Sequence, residues 1–214
     1  ESFKELVPSG KNALLTLRMV DSEMNADILS DKAAQKRIIS QTMTFAKKHN
    51  FSGVVLDLEM SAIPFDSLVT QISEFSRDVA LQAGEQDLTF AMTLYGDTFF
   101  RVRPFDVKTL SQTNENFMLM AYDFHKSRSN PGPNFPLKGN ETYGYDMEKL
   151  ADDMLRYSSP EKVSVIFGMF GYDWTVDDKG KAIDQGKPLT YEQIQATFLD
   201  GCAYKDCVIK RDAL

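Results

Sequence analysis

The sequence predicts an α/β fold in which strands alternate with helices, and it favours closure of the strands into a (β/α) barrel. Three observations support this prediction: apolar runs of strand length recur along the chain, amphipathic helical segments separate them, and most of the runs are apolar on both faces. Strands buried on both faces are typical of parallel sheets that helices cover. An open doubly wound sheet would fit the same pattern, but no glycine-rich phosphate turn follows any of the strands.

In the first half of the chain the predicted elements follow one another closely. A helix begins near Ser30 or Asp31, because the largely apolar positions 38, 39, 42, 45 and 46 lie on one stripe at helical spacing. Cationic residues at its end suit a helix C-terminus. Around this helix we predict strands over residues 12–19, 51–59 and 88–95 and a second helix over residues 65–83.

The second half of the chain is less regular. Residues 126–145 are rich in proline, glycine and asparagine, which predicts a long loop, and loops of this length are commonly functional. A helix is expected to begin at Thr190, because Gln193 completes a capping box. The other predicted elements are strands over 116–123 and 162–174, a helix over 146–157, an exposed hairpin over 177–188 and a short strand over 206–210.

Composition limits the class of protein. With 214 residues and 43% hydrophobic content, the chain is expected to form a single domain over residues 1–214. The net charge is -7, and the lysines and arginines are scattered, which argues against a nucleic-acid partner and favours a neutral or cationic substrate. No apolar run approaches the roughly 18 residues that a membrane span needs.

The termini and the cysteines leave several alternatives open. The chain begins at Glu1 and shows no basic-then-apolar leader, so we expect a processed or excised form. Cys202 and Cys207 could close a small disulfide loop or remain two free thiols. No histidine pair accompanies them, so no metal site is predicted.

The strand over residues 51–59 ends in two carboxylates. Side chains alternate along a strand, so Val55, Asp57 and Glu59 share one face, and the apolar residues between them share the other. If the fully apolar face meets the helices, the acids point into the barrel at the C-terminal end of the strand. Barrel enzymes place their catalytic groups at this end.

Two such acids suggest proton-transfer chemistry. Carboxylates one pleat repeat apart, about 7 Å, disfavour ionising together, so one of the two is expected to have a raised pKa. A protonated acid beside a charged partner is an arrangement for general acid catalysis. The alternative is a pair of solvated strand-end acids or ion-pair partners, which the short motif alone leaves open.

The segment around these acids resembles a known enzyme family. FSGVVLDLE resembles the DGxDxDxE signature of glycoside hydrolase family 18, the chitinase-like enzymes, with Gly53, Asp57 and Glu59 in register. Residues 120–123, MAYD, resemble the family's MxYD motif at the end of a later strand. The acid pair is thus accompanied by a second motif of the same family.

Two later segments extend the resemblance. FGMFGYDW, residues 167–174, resembles the family's following strand, which lines the sugar groove. PGPNFPL, residues 131–137, is similar to the branch that includes spore and cell-wall peptidoglycan hydrolases. The matches keep the family's order and cover about residues 12–175.

The resemblance implies a TIM (β/α)8-type barrel that hydrolyses β-1,4-linked N-acetylglucosamine polymers, in chitin or peptidoglycan, with retention and with assistance from the substrate. Glu59 would protonate the leaving oxygen and then deprotonate water. Asp57 would hold the acetamide N–H, and Tyr122 would donate its hydroxyl to the acetamide oxygen. Asp123 would bond the sugar or the surroundings of Glu59. No metal or cofactor is implied, and the implied location is secreted or in the cell envelope.

The resemblance also implies a sugar-binding surface. Met120, Tyr172 and Trp174 would form apolar walls for the pyranose ring, although Met120 fits the barrel core equally well. We include Tyr95, at the end of the strand over 88–95, among the substrate-binding residues. Arg18 could also reach the cleft, and for both of these side chains a surface or ion-pair role is equally open.

The chain departs from the family pattern in two respects. Val55 and Ser52 stand where the signature has aspartates, so the inner carboxyl that would share a proton with Asp57 is missing. A closed eight-stranded barrel takes about 250 residues, and the acid pair follows only one strand here instead of three. We therefore expect an incomplete barrel containing about strands three to seven, completed by other parts of a longer parent protein or by another chain.

Two other functional classes remain as alternatives. A carbohydrate-binding protein without turnover is favoured by Val55 and the short barrel, whereas the presence of Glu59 favours the enzyme. An unrelated barrel enzyme such as a deacetylase or aldolase would need metal ligands or a lysine in the cleft. We find no clear candidate for either.

Overall fold

The structure is a computed structural model that describes residues 12–113, 116–139, 141 and 144–200. The chain divides into two compact units, the first formed by residues 1–120 and 138–166 and the second by residues 121–137 and 167–214. The strand predicted over 206–210, together with Cys202 and Cys207, lies outside the described residues. The single-domain organisation stays a prediction.

The first unit is built on a five-stranded parallel sheet with the strand order β1-β2-β3-β4-β5. Each strand pairs with the next one along the chain, as in a (β/α) barrel. Among the described residues β1 and β5 each have one neighbouring strand, so the sheet is open. The strands are β1 Leu14–Met19, β2 Gly53–Leu58, β3 Thr89–Tyr95, β4 Asn116–Met120 and β5 Val163–Ile166.

Helices connect these strands. They are α1 Ser22–Ser30, α2 Lys32–Lys48, α3 Asp66–Glu85, α4 Val107–Thr113 and α5 Met147–Met154, and a 3₁₀ turn, Pro160–Lys162, leads into β5. The helix α1 was not predicted. Asp21 caps it by accepting hydrogen bonds from the backbone N–H groups of Glu23 and Met24.

The helices cover the face of the sheet that carries Leu56 and its neighbours. From α3, the Ser76 hydroxyl approaches the sulfur of Met92 on β3 at 3.4 Å, and Leu56 is fully buried. All six residues of β2 are buried, as expected for a central strand. Asp57 and Val55 therefore point to the opposite face, as predicted.

The predicted apolar stripe of α2 is wrong at one position. Phe45 was expected on the buried face but is 49% exposed. Its ring lies 4.3 Å from that of His49 and 6.4 Å from that of Phe51, measured between centroids. The aromatic residues form a small surface cluster, and the buried residues of this helix are Gln35, Ile39, Thr42, Met43 and Ala46.

Gly53 marks a close approach of β2 to β3. A Cβ atom at this position would lie 2.1 Å from the Thr89 hydroxyl oxygen and 2.6 Å from the Thr89 carbonyl oxygen. A residue without a side chain is therefore required here, which is the physical reason for the glycine at the start of the strand that carries the acid pair.

The second unit contains a two-stranded antiparallel sheet, β6 Phe170–Asp173 and β7 Lys187–Thr190. The prediction of one continuous strand over 162–174 is therefore wrong. The chain bends at Met169, and a Cβ atom on the preceding Gly168 would collide with the Phe170 ring. The residues between β6 and β7 form the predicted exposed hairpin, closed by a bridge between Val176 and Ala182.

The capping box at Thr190 is confirmed. The helix that it begins, α6 Tyr191–Ile194, is only one turn long and continues as a π-helical turn, Gln195–Leu199. Among the helices of the described residues, none combines the length and apolar character that a bilayer span requires.

Candidate active site

The two predicted acids lie at the C-terminal end of β2, but in different environments. Asp57 is 9% exposed, and its Oδ1 accepts a 2.7 Å hydrogen bond from the hydroxyl of Thr93 on β3. The Glu59 side chain keeps 31% of its surface exposed. Asp57 is therefore anchored within the sheet, and Glu59 lies just beyond the C-terminal end of the strand, within reach of solvent.

A cation accompanies the acid pair. Arg18, the register partner of Asp57 on β1, places Nε 3.5 Å from Asp57 Oδ2 and Nη2 3.7 Å from Glu59 Oε1. The alternative of an ion-pair role for Arg18 is thus confirmed. Since the arginine is largely exposed, each contact contributes modestly to stability. Its positive charge nevertheless compensates part of the negative charge of the two carboxylates.

Asn25 is a further residue of this site that the sequence analysis missed. Its side-chain amide donates 2.9 Å hydrogen bonds to the carbonyl oxygens of Met19 and Glu59, and Asn25 itself is 2% exposed. The backbone N–H of Glu59 donates to the Met19 carbonyl at 2.7 Å. Asn25 therefore joins the ends of β1 and β2 through the backbone of Glu59; we call this contact the Asn25 clamp. The capping residue Asp21, at the start of α1, is the signal that could have revealed this helix.

Replacing Asn25 with alanine should lower the free energy of unfolding by about 1–3 kcal/mol, because two hydrogen bonds to the strand ends are lost from a buried position. Urea denaturation measures the change. Asn116→Ala is a matched control, since Asn116 donates to the Phe90 carbonyl away from the acid pair. A loss below about 0.5 kcal/mol for Asn25→Ala would contradict the claim that its two hydrogen bonds hold the ends of β1 and β2 together.

Tyr95 and Met120 end the next two strands and are register partners. Tyr95 is partly buried, and Met120 is buried. Burial, followed by the negative charge of Glu59, raises the pKa of the Tyr95 phenol, with Asp57 adding to the effect. Four predicted residues of the first unit, Asp57, Glu59, Tyr95 and Met120, thus lie at the same edge of the parallel sheet.

The other predicted residues belong to the second unit and form a cluster there. Asp123 has a left-handed backbone with φ 61°, and its N–H donates to Asn134 Oδ1 at 2.7 Å. The Tyr172 hydroxyl donates to Asp123 Oδ1 at 2.8 Å. Asn134 comes from the PGPNFPL segment, so this loop holds the left-handed aspartate in place.

Aromatic rings line the same cluster. The Tyr122 ring meets the Phe170 ring edge to face at 6.0 Å, and Phe170 meets Tyr172 at 5.6 Å. Trp174 lies 5.5 Å from Tyr172 and donates its indole N–H to the Ser127 carbonyl at 3.2 Å. Trp174 therefore has a structural hydrogen bond, and the residue is partly exposed.

The Tyr172–Asp123 hydrogen bond predicts a pH dependence of stability. Burial, followed by this hydrogen bond and the charge of Asp123, raises the pKa of Tyr172 to about 12. An unfolded tyrosine titrates near pH 10, so the folded state holds the proton more tightly. The contribution of Tyr172 to stability is therefore complete below about pH 10 and is lost as the pH rises towards about 12.

We expect the free energy of unfolding to fall less steeply between about pH 10 and 12 in Tyr172→Phe than in the wild type. Urea denaturation at several pH values measures both slopes. Tyr191→Phe, at an exposed tyrosine, serves as the control and should keep the wild-type slope. Equal slopes for the wild type and Tyr172→Phe would contradict the role of the hydrogen bond.

Metal ligation is not suggested by the described part of the chain, in which no group of three or more histidine, cysteine, aspartate or glutamate side chains could hold an ion. Asp57 and Glu59 instead lie beside Arg18, and Asp57 also accepts a hydrogen bond from Thr93. This arrangement offers two carboxylates at the C-terminal end of a central strand. One is anchored by hydrogen bonding, and the other is more accessible to solvent.

A comparison with protein families assigns the chain to a family. The sequence model of glycosyl hydrolases family 18 matches residues 20–210. The chain belongs to this family. The resemblance of its motifs to family 18 is therefore confirmed, and the parallel sheet described above is part of a (β/α)8-type barrel that the described residues do not close.

Individual relatives are distant. The candidate sporulation-specific glycosylase YdhD of Bacillus subtilis is 22% identical over 174 residues, which cover 81% of this chain and 40% of YdhD. This chain thus spans less than half the length of that relative.

Two solved structures of other proteins share the fold. A family 18 chitinase from Cycas revoluta in complex with (GlcNAc)3 superposes with a TM-score of 0.69 at 23% identity, covering 90% of this chain and 62% of its own. The chitinase-like agglutinin of Robinia pseudoacacia superposes with a TM-score of 0.74 at 17% identity. The match covers 91% of this chain and 65% of the agglutinin chain. The fold is therefore common to a chitinase and to an agglutinin.

Proposed function

We propose that this protein hydrolyses β-1,4-linked N-acetylglucosamine polymers, in chitin or peptidoglycan, by a retaining and substrate-assisted mechanism. The observation that carries the proposal is the position of Asp57 and Glu59 at the C-terminal end of a central parallel strand, with Asp57 anchored by Thr93 and Glu59 accessible. Barrel enzymes carry out their chemistry at this end. We further propose a secreted or cell-envelope location, where such polymers occur, and completion of the barrel by other parts of a longer protein.

The proposed chemistry has two steps. In the first, the 2-acetamido carbonyl oxygen of the substrate attacks the anomeric carbon, the glycosidic C–O bond breaks, and Glu59 gives its proton to the leaving oxygen. Asp57 accepts the acetamide N–H and stabilises the positive charge of the oxazolinium intermediate. In the second step, Glu59 takes a proton from water. The water oxygen attacks the anomeric carbon, and the bond between this carbon and the acetamide oxygen breaks, which opens the oxazolinium ring.

The remaining predicted residues are proposed to bind and orient the sugar. Tyr122 donates a hydrogen bond from its hydroxyl to the acetamide oxygen. Asp123 accepts a hydrogen bond from a sugar hydroxyl through Oδ2, because Tyr172 donates to Oδ1. Tyr172 and Trp174 offer aromatic surface to the pyranose rings. Met120 and Tyr95 end the strands beyond the acid pair and would border the same sugar. These roles rest on the family's motifs.

A carbohydrate-binding protein without turnover is the second candidate. Two observations favour it: Val55 is buried where the family signature carries an aspartate, and Arg18 lies within ion-pair distance of both acids. An arginine that pairs with both carboxylates fits an ion-pair cluster, whereas a general acid must reach the leaving oxygen of the substrate. The Robinia agglutinin has the same fold, so the fold does not distinguish the two candidates.

The test compares two sets of oligomers that differ only in the 2-substituent. The wild-type protein should release chromophore from chromogenic N-acetylglucosamine oligomers but not from the matching glucosamine oligomers, which lack the acetamide carbonyl. Proton NMR should detect the β-anomer as the first product. Binding of the acetylated oligomers without hydrolysis would establish the carbohydrate-binding protein, and an α-anomer as first product would exclude the substrate-assisted mechanism.

A further inference from the structure

The segment between β3 and α4 contains a well-shielded ion pair. Arg103 donates from Nε to Asp97 Oδ1 at 2.9 Å and from Nη2 to Asp97 Oδ2 at 2.7 Å. The two side chains are 10% and 16% exposed. Paired parallel hydrogen bonds fix the plane of a guanidinium group as well as its position. Arg103 is therefore held in one orientation.

The fixed guanidinium lies over an aromatic ring. Its central carbon is 4.2 Å from the ring centroid of Tyr95, the last residue of β3. Phe105 meets the same ring edge-on at 6.0 Å. A cation over the ring face attracts the ring electrostatically, and more strongly when water is excluded. The Tyr95 ring is thus held by a shielded cation, by a second ring and by its strand.

The phenol of Tyr95 lies in the field of the acid pair. Burial raises its pKa, the charges of Glu59 and Asp57 raise it further, and Arg103 acts in the opposite direction. The phenol therefore stays protonated over the working pH range of a glycosidase, and its hydroxyl can donate a hydrogen bond. No motif of the sequence analysis includes Arg103.

We propose that Arg103 is a positioning residue that acts through Tyr95. In this proposal the Asp97–Arg103 pair fixes the phenol so that its hydroxyl donates to an oxygen of the sugar bound beside Asp57 and Glu59. Tyr95 contacts the substrate, and Arg103 acts only on Tyr95. The proposal rests on the proposed function, because it needs a sugar at the acid pair.

A purely structural role would look different. If the ion pair only stabilised the segment between β3 and α4, its removal would lower activity by the same factor whether or not Tyr95 carried a hydroxyl. If the ion pair positions that hydroxyl, its removal should have little effect on activity in the Tyr95→Phe background, because this variant keeps the ring but lacks the hydroxyl oxygen. A double-mutant cycle separates the two roles.

The experiment measures kcat/KM on chromogenic N-acetylglucosamine oligomers for the wild type, Arg103→Met, Tyr95→Phe and the double variant. Each single substitution should lower kcat/KM about tenfold, and Arg103→Met should cost less than about twofold in the Tyr95→Phe background. Arg101→Met is the matched control: Arg101 is an exposed partner of the same Asp97, 3.3 Å away, and its loss should change kcat/KM less than about twofold. The same factor for Arg103→Met in both backgrounds would overturn the proposal.

A second variant covers a folding defect. If thermal unfolding shows that Arg103→Met does not fold, Arg103→Lys replaces it, because lysine keeps the cation but cannot form the paired hydrogen bonds. If the wild type binds oligomers without turnover, the proposed hydrolysis fails. The double-mutant cycle is then measured by calorimetry, as the affinity of each variant for the tetramer of N-acetylglucosamine. Non-additive affinities then uphold the role of Arg103, and additive affinities or absence of binding overturn it.

Discussion

Replacing Glu59 with glutamine is expected to lower kcat on chromogenic N-acetylglucosamine oligomers by about 10³-fold, with little change in oligomer affinity. Glutamine keeps the size of the side chain and its hydrogen bonding, but it cannot deliver an acidic proton to the leaving oxygen or accept one from water. Because both steps of the proposed mechanism use the same carboxyl group, both are impaired. Chromophore release measures kcat, and calorimetry measures affinity.

Glu85→Gln makes the same chemical change at an exposed residue that ends α3. This control should keep wild-type kcat and shows whether the substitution itself affects the preparation. Retention of more than about a tenth of the wild-type kcat by Glu59→Gln would mean that another group supplies the proton. The acid pair would then be the ion-pair cluster that the sequence also allowed.

Replacing Asp57 with asparagine is expected to lower kcat by about 10²-fold. Asparagine can still accept the hydrogen bond from Thr93, so the anchoring is preserved. It lacks the negative charge that the proposed mechanism uses to stabilise the oxazolinium intermediate. Because that charge matters most when the positive charge develops, the effect should fall on kcat more than on KM.

Asp27→Asn, at an exposed position of α1, is the matched control for this substitution and should leave kcat unchanged. Urea denaturation of Asp57→Asn separates a loss of charge from a loss of folded protein. If the folded Asp57→Asn variant turned over at the wild-type rate, the carboxylate would act only as the partner of Arg18 and Thr93.

Local patterns in the sequence determined much of the architecture. The alternation of side chains in β2 was enough to predict that Val55 and Asp57 share one face and the apolar residues between them the other, because a strand has a period of two. The structure shows that the fully apolar face is the one that meets the helices. The capping box at Thr190 was likewise readable, since it involves residues three positions apart. Family motifs predicted that Tyr122 and Asp123 act together with the acid pair, and this stays a prediction.

Local patterns failed where several interpretations fitted the same residues. Residues 162–174 read as one apolar strand, but the chain bends at Met169, and β6 pairs with β7 instead of joining the parallel sheet. Phe45 fitted the helical stripe of α2 and is nevertheless half-exposed. β6 pairs with a strand that is distant in sequence, whereas the ring of Phe45 packs beside His49 and Phe51, just beyond the end of its own helix. The periodicity of a single element describes neither contact.

The sequence by itself determined which acids end the central strand and at which end of the sheet they lie. Only the tertiary structure decided their partners: Arg18 from β1, Thr93 from β3 and the Asn25 clamp from α1. The physical reason is that these contacts depend on the register between strands and on how a helix packs across their ends. Register and packing are set by the whole sheet, whereas the position of an acid along its own strand is set by the strand.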